Sequence, residues 1–284
     1  MSIAVDPQRL RRHLQTIIGE RSPFSGQRHL AAVESFVEGE FQSYGLRVEN
    51  DFFRYRGTTY RNIIGQLGGR ADGPLVILGA HIDAVPGTPG ADDNASGVAA
   101  LLEAARLLAS ARMTVPMLFC AFNLEELNMV GSTAFAQKLK SATRQVKLMI
   151  SLEMVGYTDS RPGSQQLPTG LAPFYPDRGD FIGVIGNWNS NPLLRTFAAA
   201  MRGSLRLNVE TLSVPGKGGL VPAVRLSDHA PFWDLGYPAL MVTDTAFYRN
   251  PNYHKPSDSL ETLDLDFLAR VCEGVVRGVA ALVN

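Results

Sequence analysis

Short apolar runs rich in branched residues alternate with helix-like stretches along most of the chain. Four such runs are each bounded by turn or polar residues, at positions 74–80, 115–122, 146–152 and 238–243. Runs of this kind are typical of strands that are buried on both faces. Residues 96–110 and 263–283 carry apolar helix-forming patterns between and after these strands. Strands that alternate with helices predict an α/β fold, with a mixed but mostly parallel central sheet flanked by helices.

Two parts of the chain depart from this alternation. Residues 7–45 have apolar positions spaced by three and four, which predicts helix, and residues 46–55 and 62–67 are strand-like. Residues 157–190 are dense in glycine, proline, serine and aromatic residues. Long connections inside a domain are usually functional or disordered, so the alternatives are a substrate-facing loop and a mobile surface insertion, and the first is favoured. We therefore expect one domain over residues 1–284, with a substrate-facing loop at about 157–190.

Composition excludes several classes of partner. Lysine plus arginine (27) equals aspartate plus glutamate (27), so the chain lacks the basic excess of a nucleic-acid binder. No apolar run approaches the roughly 18 residues of a membrane span, and the first residues lack the apolar core of a signal peptide. Both cysteines lie in apolar stretches, which predicts buried thiols and a reducing compartment. We expect a cytoplasmic protein, and the sequence does not indicate its oligomeric state.

Residue types that bind metals follow all four apolar runs at their carboxyl ends. They are His81 and Asp83 after the first run, Glu125 and Glu126 after the second, Glu153 after the third and His254 in the loop after the fourth. An acidic, glycine-rich segment at 86–97 adds a pair of aspartates. In open α/β sheets, ligands bind beyond the carboxyl ends of the strands. The four strand ends therefore predict a single polar site at one edge of the sheet.

The chemistry of a zinc hydrolase accounts for this choice of residues. Zinc in such enzymes binds imidazole nitrogen and carboxylate oxygen and keeps one position open for water. A pair of zinc ions about 4 Å apart needs a bridging carboxylate between them. Of two adjacent glutamates, Glu125 and Glu126, one can bind metal while the other takes a proton from water. Asp83, two residues after His81, is placed to orient its imidazole.

Five segments resemble a known family in their order and spacing. AHID, GADDNASG, NLEE, SLEMVGY and YHKPSD are similar to motifs of the co-catalytic zinc aminopeptidases, between about residue 60 and the C-terminus. That family includes bacterial leucyl-type aminopeptidases and, more distantly, glutamate carboxypeptidase II and the glutaminyl cyclases. The resemblance implies a zinc exopeptidase fold of the phosphorylase/hydrolase-like type, two zinc ions per chain and a peptide or aminoacyl substrate.

The resemblance also implies a role for each site residue. His81 and Glu153 would bind one zinc, Glu126 and His254 the other, and Asp93 would bridge the two ions. The remaining roles fall to four residues: Glu125 as general base, Tyr253 at the developing oxyanion, and Asp83 and Asp228 beside the metals without binding them. Family members have a cis peptide bond after the bridging aspartate, which would be Asp93–Asn94 here.

Two assignments and two departures stay open at this point. Asp92 carries the same group as Asp93, although the family register favours Asp93. His229 is the alternative to His254 as metal ligand. The residues around His229 are typical of the start of a helix, which favours a structural or pocket-lining role. Glu153 stands where aspartate is commoner in the family, and Asn94 stands where many members have a second aspartate.

The same residues are compatible with other activities. The resemblance favours hydrolysis of the peptide bond next to a free N-terminus. The alternatives are a glutaminyl cyclase-like transferase with fewer metals, a carboxypeptidase or amidohydrolase, and a non-catalytic binding relative. The intact set of metal ligands and base argues against the last of these, because degenerate relatives usually lose some of them.

Overall fold

A mixed sheet of eight strands forms the centre of the molecule in the computed structural model, which describes residues 4–68, 73–111, 113–204 and 206–283. Of the predicted domain 1–284, residues 1–3, 69–72, 112, 205 and 284 lie outside the described residues. The strands are β1 (Arg47–Tyr55), β2 (Thr58–Leu67), β3 (Leu75–His81), β4 (Met117–Phe122), β5 (Val146–Glu153), β6 (Phe181–Asn187), β7 (Asn208–Val214) and β8 (Ala239–Thr243). The helices are α1 (Pro7–Ile17), α2 (Gln27–Ser43), α3 (Gly97–Leu108), α4 (Val130–Ser141), α5 (Asn191–Met201), α6 (Ala230–Asp234) and α7 (Leu265–Val283).

The sheet has the strand order β1-β2-β4-β3-β5-β8-β6-β7. The β3–β4, β3–β5, β5–β8 and β6–β7 pairs are parallel, whereas β1–β2, β2–β4 and β6–β8 are antiparallel. Every residue of β3 and β4 is buried, as their continuous apolar runs predict. The expected mixed, mostly parallel sheet flanked by helices is confirmed.

Helices cover both faces of the sheet. Helices α1, α2, α3, α5 and α7 pack on one face, and α4 and α6 pack on the other. Because side chains alternate along a strand, Leu152 of β5 points into the first core and Met149 into the second. Glu153 therefore faces the same side as Met149, at the carboxyl end of β5. No helix in the described ranges is long and apolar enough to cross a membrane.

The structure refines one prediction of elements and corrects another. Residues 7–45, predicted to be helical, form two helices, and the chain turns between them at Gly26, where a Cβ would lie 2.2 Å from the carbonyl oxygen of Glu20. The stretch 157–190, predicted as loop, contains strand β6. Gly183 and Gly186 interrupt its apolar run and weaken the strand signal, yet both are buried inside the sheet.

Candidate metal centre and active site

The carboxyl ends of β3, β4 and β5 and the loop after β8 bring all five predicted metal ligands together. Two groups of three residues have ligand atoms within 4.8 Å of one another: His81, Asp93 and Glu153 in one, and Asp93, Glu126 and His254 in the other. Asp93 belongs to both groups. Residues that are up to 173 positions apart therefore meet because parallel strands end at the same edge of the sheet.

The two oxygens of Asp93 face different histidines. Oδ1 lies 3.3 Å from Nε2 of His81, and Oδ2 lies 3.1 Å from Nε2 of His254. In each group, the glutamate carboxylate lies at the same distance from the histidine. Glu153 Oε2 is 3.5 Å from His81 Nε2, and Glu126 Oε2 is 3.5 Å from His254 Nε2. Each oxygen of Asp93 therefore faces a different candidate ligand group.

Buried atoms without hydrogen-bond partners fit the binding of a cation by these residues. His81 Nε2 and Glu126 Oε1 are buried and have no hydrogen-bond partner within the described part of the chain. Although burial opposes a charge on His81, the carboxylates of Glu153 and Glu125 raise its pKa well above the usual range. The cluster therefore favours positive charge at its centre. Imidazole nitrogen with carboxylate oxygen is the donor set that zinc takes in hydrolases.

The adjacent glutamates occupy different positions. Glu126 belongs to a ligand group, while Glu125 belongs to neither and has its Oε2 3.9 Å from His81 Nε2. Leu124 before them has a left-handed backbone (φ 59°), which reverses the chain directly after β4. Burial raises the pKa of the Glu125 carboxyl well above its usual range. A carboxylate that prefers to be protonated is suited to accept a proton.

The carboxylate of Asp83 bonds to the turn that carries Glu125 and Glu126 and not directly to the imidazole of His81. This carboxylate accepts the backbone N–H groups of Glu125 and Glu126 at 3.0 and 3.1 Å. Nδ1 of His81 lies 3.1 Å from the carbonyl oxygen of Asp83 and 3.6 Å from its carboxylate. The backbone carbonyl thus orients the imidazole, and the carboxylate links β3 to the glutamate turn.

Hydrogen bonds separate the roles of the paired aspartates. The Asp92 carboxylate accepts the N–H of Gly156 at 2.9 Å and the amide of Asn250 at 2.7 Å. Asp258 accepts the backbone N–H groups of Asp92 and Asp93 at 2.9 and 3.1 Å. Asp92 is therefore engaged in holding neighbouring loops, and only Asp93 reaches the two histidines.

Asn94 ties the acidic segment to the end of β5. The Asp93–Asn94 peptide bond is cis, as the resemblance implies. The Asn94 amide donates to the carbonyl oxygen of Leu152 at 2.8 Å and accepts the N–H of Met154 at 3.1 Å. An ionised aspartate accepts hydrogen bonds only and would leave the Leu152 carbonyl without this donor. Asn94, which departs from the family pattern, therefore links the chain directly after Asp93 to the two residues on either side of Glu153.

His229 lies in the core rather than in a ligand group. Its Nε2 donates to the carbonyl oxygen of Val224 at 2.8 Å, and its ring meets Trp233 edge-on at 4.4 Å. Burial lowers the pKa of His229 to about 4. Of the two rivals, His254 is the one that the structure places in a group with Asp93.

Asp228 and Ser227 lie behind Glu153. Asp228 is fully buried, and neither of its carboxylate oxygens accepts a hydrogen bond among the described residues. Burial raises the pKa of Asp228 to about 7. The hydroxyl of Ser227 donates to Glu153 Oε2 at 2.8 Å, a contact that sequence reasoning missed. Asp228 belongs to neither ligand group.

Tyr253 stacks on the ring of His254, with the ring centroids 3.7 Å apart and the planes 19° from parallel. Burial, and then the charge of Asp93, raise the pKa of the Tyr253 phenol above its usual value. The phenol therefore remains a hydrogen-bond donor throughout the physiological range. Tyr253 also lines a pocket together with Glu153.

Arg21 is a site residue that the sequence motifs did not indicate. Its guanidinium is fully buried and donates five hydrogen bonds of 2.8–2.9 Å, to the carbonyl oxygens of Ile17, Gly19, Ile82, Pro89 and Gly90. Burial lowers its pKa to about 10, and Asp83 and Asp93 oppose this shift. Arg21 thus places a positive charge behind the acidic cluster and clamps the loop that carries Asp93. No motif surrounds it, because its partners are all backbone atoms.

A largely apolar pocket of about 830 Å³, counting the open solvent at its mouth, adjoins the ligand groups at Glu153 and Tyr253. One wall is formed by residues 165–168, 171 and 175 of the segment that we expected to face the substrate. The Gln165 side chain fixes this segment by accepting from Arg249 and donating to Thr245, each at 2.8 Å.

Relatives of known sequence match most of the chain. The sequence profile of peptidase family M28 matches residues 62–279. The uncharacterized protein YfbL of Escherichia coli strain K12 is 42% identical over 252 residues, which cover 85% of this chain and 77% of YfbL. A probable leucine aminopeptidase of Arthroderma otae is 31% identical over 226 residues, which cover 74% of this chain and 54% of that protein. The chain thus spans about half the length of this second relative.

Solved structures share the fold. LapA of Legionella pneumophila aligns with a TM-score of 0.79 at 22% identity, covering 98% of this chain and 74% of LapA. The zinc aminopeptidase BSAP of Bacillus subtilis aligns with a TM-score of 0.62 at 27% identity, covering 81% of this chain and 52% of BSAP. A glutaminyl cyclase of Porphyromonas gingivalis aligns with a TM-score of 0.69 at 20% identity, covering 98% and 97% of the two chains. With the profile match over most of its length, the chain belongs to peptidase family M28 and is a peptidase of the hydrolase class.

Proposed function

We propose that this peptidase is an aminopeptidase that works with two zinc ions and removes the N-terminal residue of peptides. The observation that carries the proposal is the pair of three-residue ligand groups that share Asp93. His81 and Glu153 would complete one metal site, and Glu126 and His254 the other. The relatives named as aminopeptidases and the zinc aminopeptidase among the similar structures support the assignment.

The protein groups divide the remaining work. When bound, the ions would supply Lewis acidity that polarises the scissile carbonyl and lowers the pKa of water. Glu125 would accept the proton of the attacking water and return it to the departing amine, a role that its position outside both ligand groups supports. Tyr253, which lines the pocket as a protonated phenol, would donate a hydrogen bond to the developing oxyanion.

The charges around the pocket favour a substrate amine over a substrate carboxylate. A carboxypeptidase needs a cation that binds the terminal carboxylate of the substrate. The candidates that lie near the site motifs in the sequence are Arg249, Arg225 and Lys217. Arg249 is buried and donates to Gln165 and to the carbonyl oxygen of Phe181. Arg225 pairs with Asp234 at 2.8 Å, and Lys217 donates to the carbonyl oxygen of the same residue. None of the three lines the pocket.

Cleavage of free and N-acetylated substrates tests the proposal. We expect the zinc-loaded protein to hydrolyse leucine p-nitroanilide and to lose this activity when the amine is acetylated, because acetylation removes the charge and lone pair of the amine. Elemental analysis of the same sample should find more than one zinc per chain. Faster cleavage of the acetylated substrate would contradict the aminopeptidase assignment. Cyclisation of N-terminal glutamine without hydrolysis, at one metal per chain, would favour the cyclase alternative.

The predicted cytoplasmic location concerns where this chemistry takes place. Both cysteines, Cys120 and Cys272, are buried free thiols, which supports the expectation of a reducing compartment. We propose this location together with the function, and fractionation of cells that express the protein would test it.

A further inference from the structure

A single row of residues crosses the sheet from the metal centre to a second carboxylate. Glu153 of β5 pairs with Thr243 of β8, Thr243 pairs with Gly183 of β6, and Gly183 pairs with Glu210 of β7. Residues paired in this way point to the same face of a sheet. Three steps of about 4.8 Å between strands place the Cα atoms of Glu153 and Glu210 roughly 14 Å apart. All four residues line the pocket beside the metal centre.

The middle of this row carries no side chain. Gly183 lines the pocket, and the atom nearest to a Cβ built there would be the carbonyl oxygen of Thr243, at 3.3 Å. Because position 183 is a glycine, the pocket floor between Thr243 and Glu210 forms a channel with no side chain at its middle. A long, narrow group that starts near Glu153 can lie along the floor toward Glu210.

Glu210 ends the row without a partner. It is half-buried, and no hydrogen bond or ion pair to its carboxylate exists among the residues that the structure describes. Burial and then the charge of Glu210 raise the pKa of Tyr175, whose hydroxyl donates to the carbonyl oxygen of Thr211 at 2.9 Å. The carboxylate thus lies beside the aromatic wall of the pocket. Among the residues with described positions, no lysine, arginine or histidine lines the pocket to neutralise it.

The walls on both sides of this channel are apolar. Leu167, Leu171 and Tyr175 form one side, and Ile185, Leu212 and Met241 rise from the sheet. Such walls suit the methylene stem of a long side chain, while an unpaired carboxylate at the far end suits a cationic head. Leucine or phenylalanine would fill the first part of the channel and leave Glu210 without a partner.

From this geometry we propose that the pocket binds the side chain of the substrate's N-terminal residue and that Glu210 selects lysine or arginine at that position. The inference rests on the proposed aminopeptidase function, because it needs the free amine to lie at the metal centre near Glu153. The substrate's amine and scissile bond then lie near Glu153, and the charged end of its side chain lies near Glu210. Glu210 is a specificity residue and takes no part in the chemical step.

Matched substrates and products test this assignment. The zinc-loaded protein should cleave lysine p-nitroanilide at least about tenfold more efficiently, in kcat/KM, than the norleucine compound, which has the same stem without the ammonium group. Glu210→Gln should remove this preference by lowering kcat/KM for the lysine substrate while leaving the norleucine substrate nearly unchanged. Binding of free L-lysine and L-norleucine, measured by calorimetry, should show the same loss of discrimination without any turnover.

A control variant and two contrary outcomes complete the experiment. Glu49→Gln makes the same change at an exposed position of the edge strand β1 and should leave both substrates unaffected. Equal or better cleavage of the norleucine substrate by the unchanged protein, with no effect of Glu210→Gln, would overturn the role of Glu210 and leave the aminopeptidase assignment standing. Failure to cleave any free aminoacyl anilide would overturn both.

Discussion

At the scale of single residues, neighbours in sequence differ in function because the backbone turns between them. Glu125 and Glu126 share their chemistry and their backbone partner, the Asp83 carboxylate. Only Glu126 reaches a ligand group, together with Asp93. The left-handed conformation of Leu124 before them is uncommon for a residue with a side chain, and it is retained where the turn is needed.

Replacing each glutamate by glutamine should separate these roles. Glu125→Gln keeps the shape but removes the proton acceptor, so kcat should fall by about 10²–10⁴-fold with zinc content nearly unchanged. Glu126→Gln removes a charged ligand and should lower zinc content first. Steady-state kinetics and elemental analysis of both variants decide the matter. The reverse pattern, with zinc lost from Glu125→Gln, would exchange the two assignments.

At the scale of elements, the site is built from loops that need support from outside the family motifs. Arg21 follows α1, lies outside the matched range 62–279, and donates to the loop before Asp93. Asp258, which ends the YHKPSD motif, supports the same loop by accepting the backbone N–H of Asp93. Segments with few apolar contacts depend on such buried hydrogen bonds to keep one conformation.

Arg21→Met should therefore impair both stability and metal binding. The variant leaves five carbonyl oxygens without their donor and removes a buried positive charge. We expect the free energy of unfolding to fall by about 3 kcal/mol or more, and zinc affinity to fall with it. Urea unfolding and zinc titration would measure the two effects.

Arg28→Met provides the matched control. Arg28 is exposed on α2, and its replacement should change the free energy of unfolding by no more than about 0.5 kcal/mol. If Arg21→Met matched this control in both stability and zinc affinity, the clamp would have no role in holding the metal loop.

At the scale of the whole molecule, a neutral protein concentrates acidic groups at one edge of its sheet. The chain has 27 basic and 27 acidic residues, yet the ligand groups contain three carboxylates and two histidines. Burial raises the pKa of Glu126, Asp228 and Asp258 to about 7. Without metal, burial makes the charged form of each of these carboxyl groups unfavourable, so the folded protein favours protons on them or cations beside them.

The metal-free protein should consequently lose stability as pH rises. An acid whose pKa is about 4 when unfolded and about 7 when folded binds its proton more tightly in the folded state. Its contribution to the free energy of unfolding therefore falls as pH increases through this window. We expect a decrease of about 2 kcal/mol or more between pH 5 and pH 7 after chelation, measured by urea unfolding.

Zinc should reverse this dependence. Metal binding displaces the protons, so zinc affinity increases with pH. At zinc concentrations about 1,000 times the dissociation constant, stabilisation reaches about 4 kcal/mol. The rise in melting temperature on adding zinc should therefore be larger at pH 7.5 than at pH 5.5. An equal rise at both values would show that these carboxyls do not lose protons when the metal binds.

The sequence by itself determined the class of fold and the strand ends that carry the site. Buried parallel strands leave continuous apolar runs, and the polar residues that follow β3, β4 and β5 stand out against them. Local spacing was enough to predict His81, Glu126 and Glu153 as metal ligands, because each lies within four residues of the strand that positions it. These signals are local, so they survive without knowledge of the fold.

Only the tertiary structure decided which of two similar residues reaches the site and what supports it. Asp92 and Asp93 differ in their contacts with Gly156 and with the two histidines, partners that are distant in the chain. Strand β6, interrupted by glycines, is recognisable through its neighbours β7 and β8, and the row from Glu153 to Glu210 exists only once β5, β8, β6 and β7 lie side by side. Arg21 bonds to backbone carbonyls, which every residue possesses. Contacts of this kind join residues that are far apart in the sequence, so they form only when the whole chain folds. The type of each residue leaves no local pattern from which such a contact could be predicted.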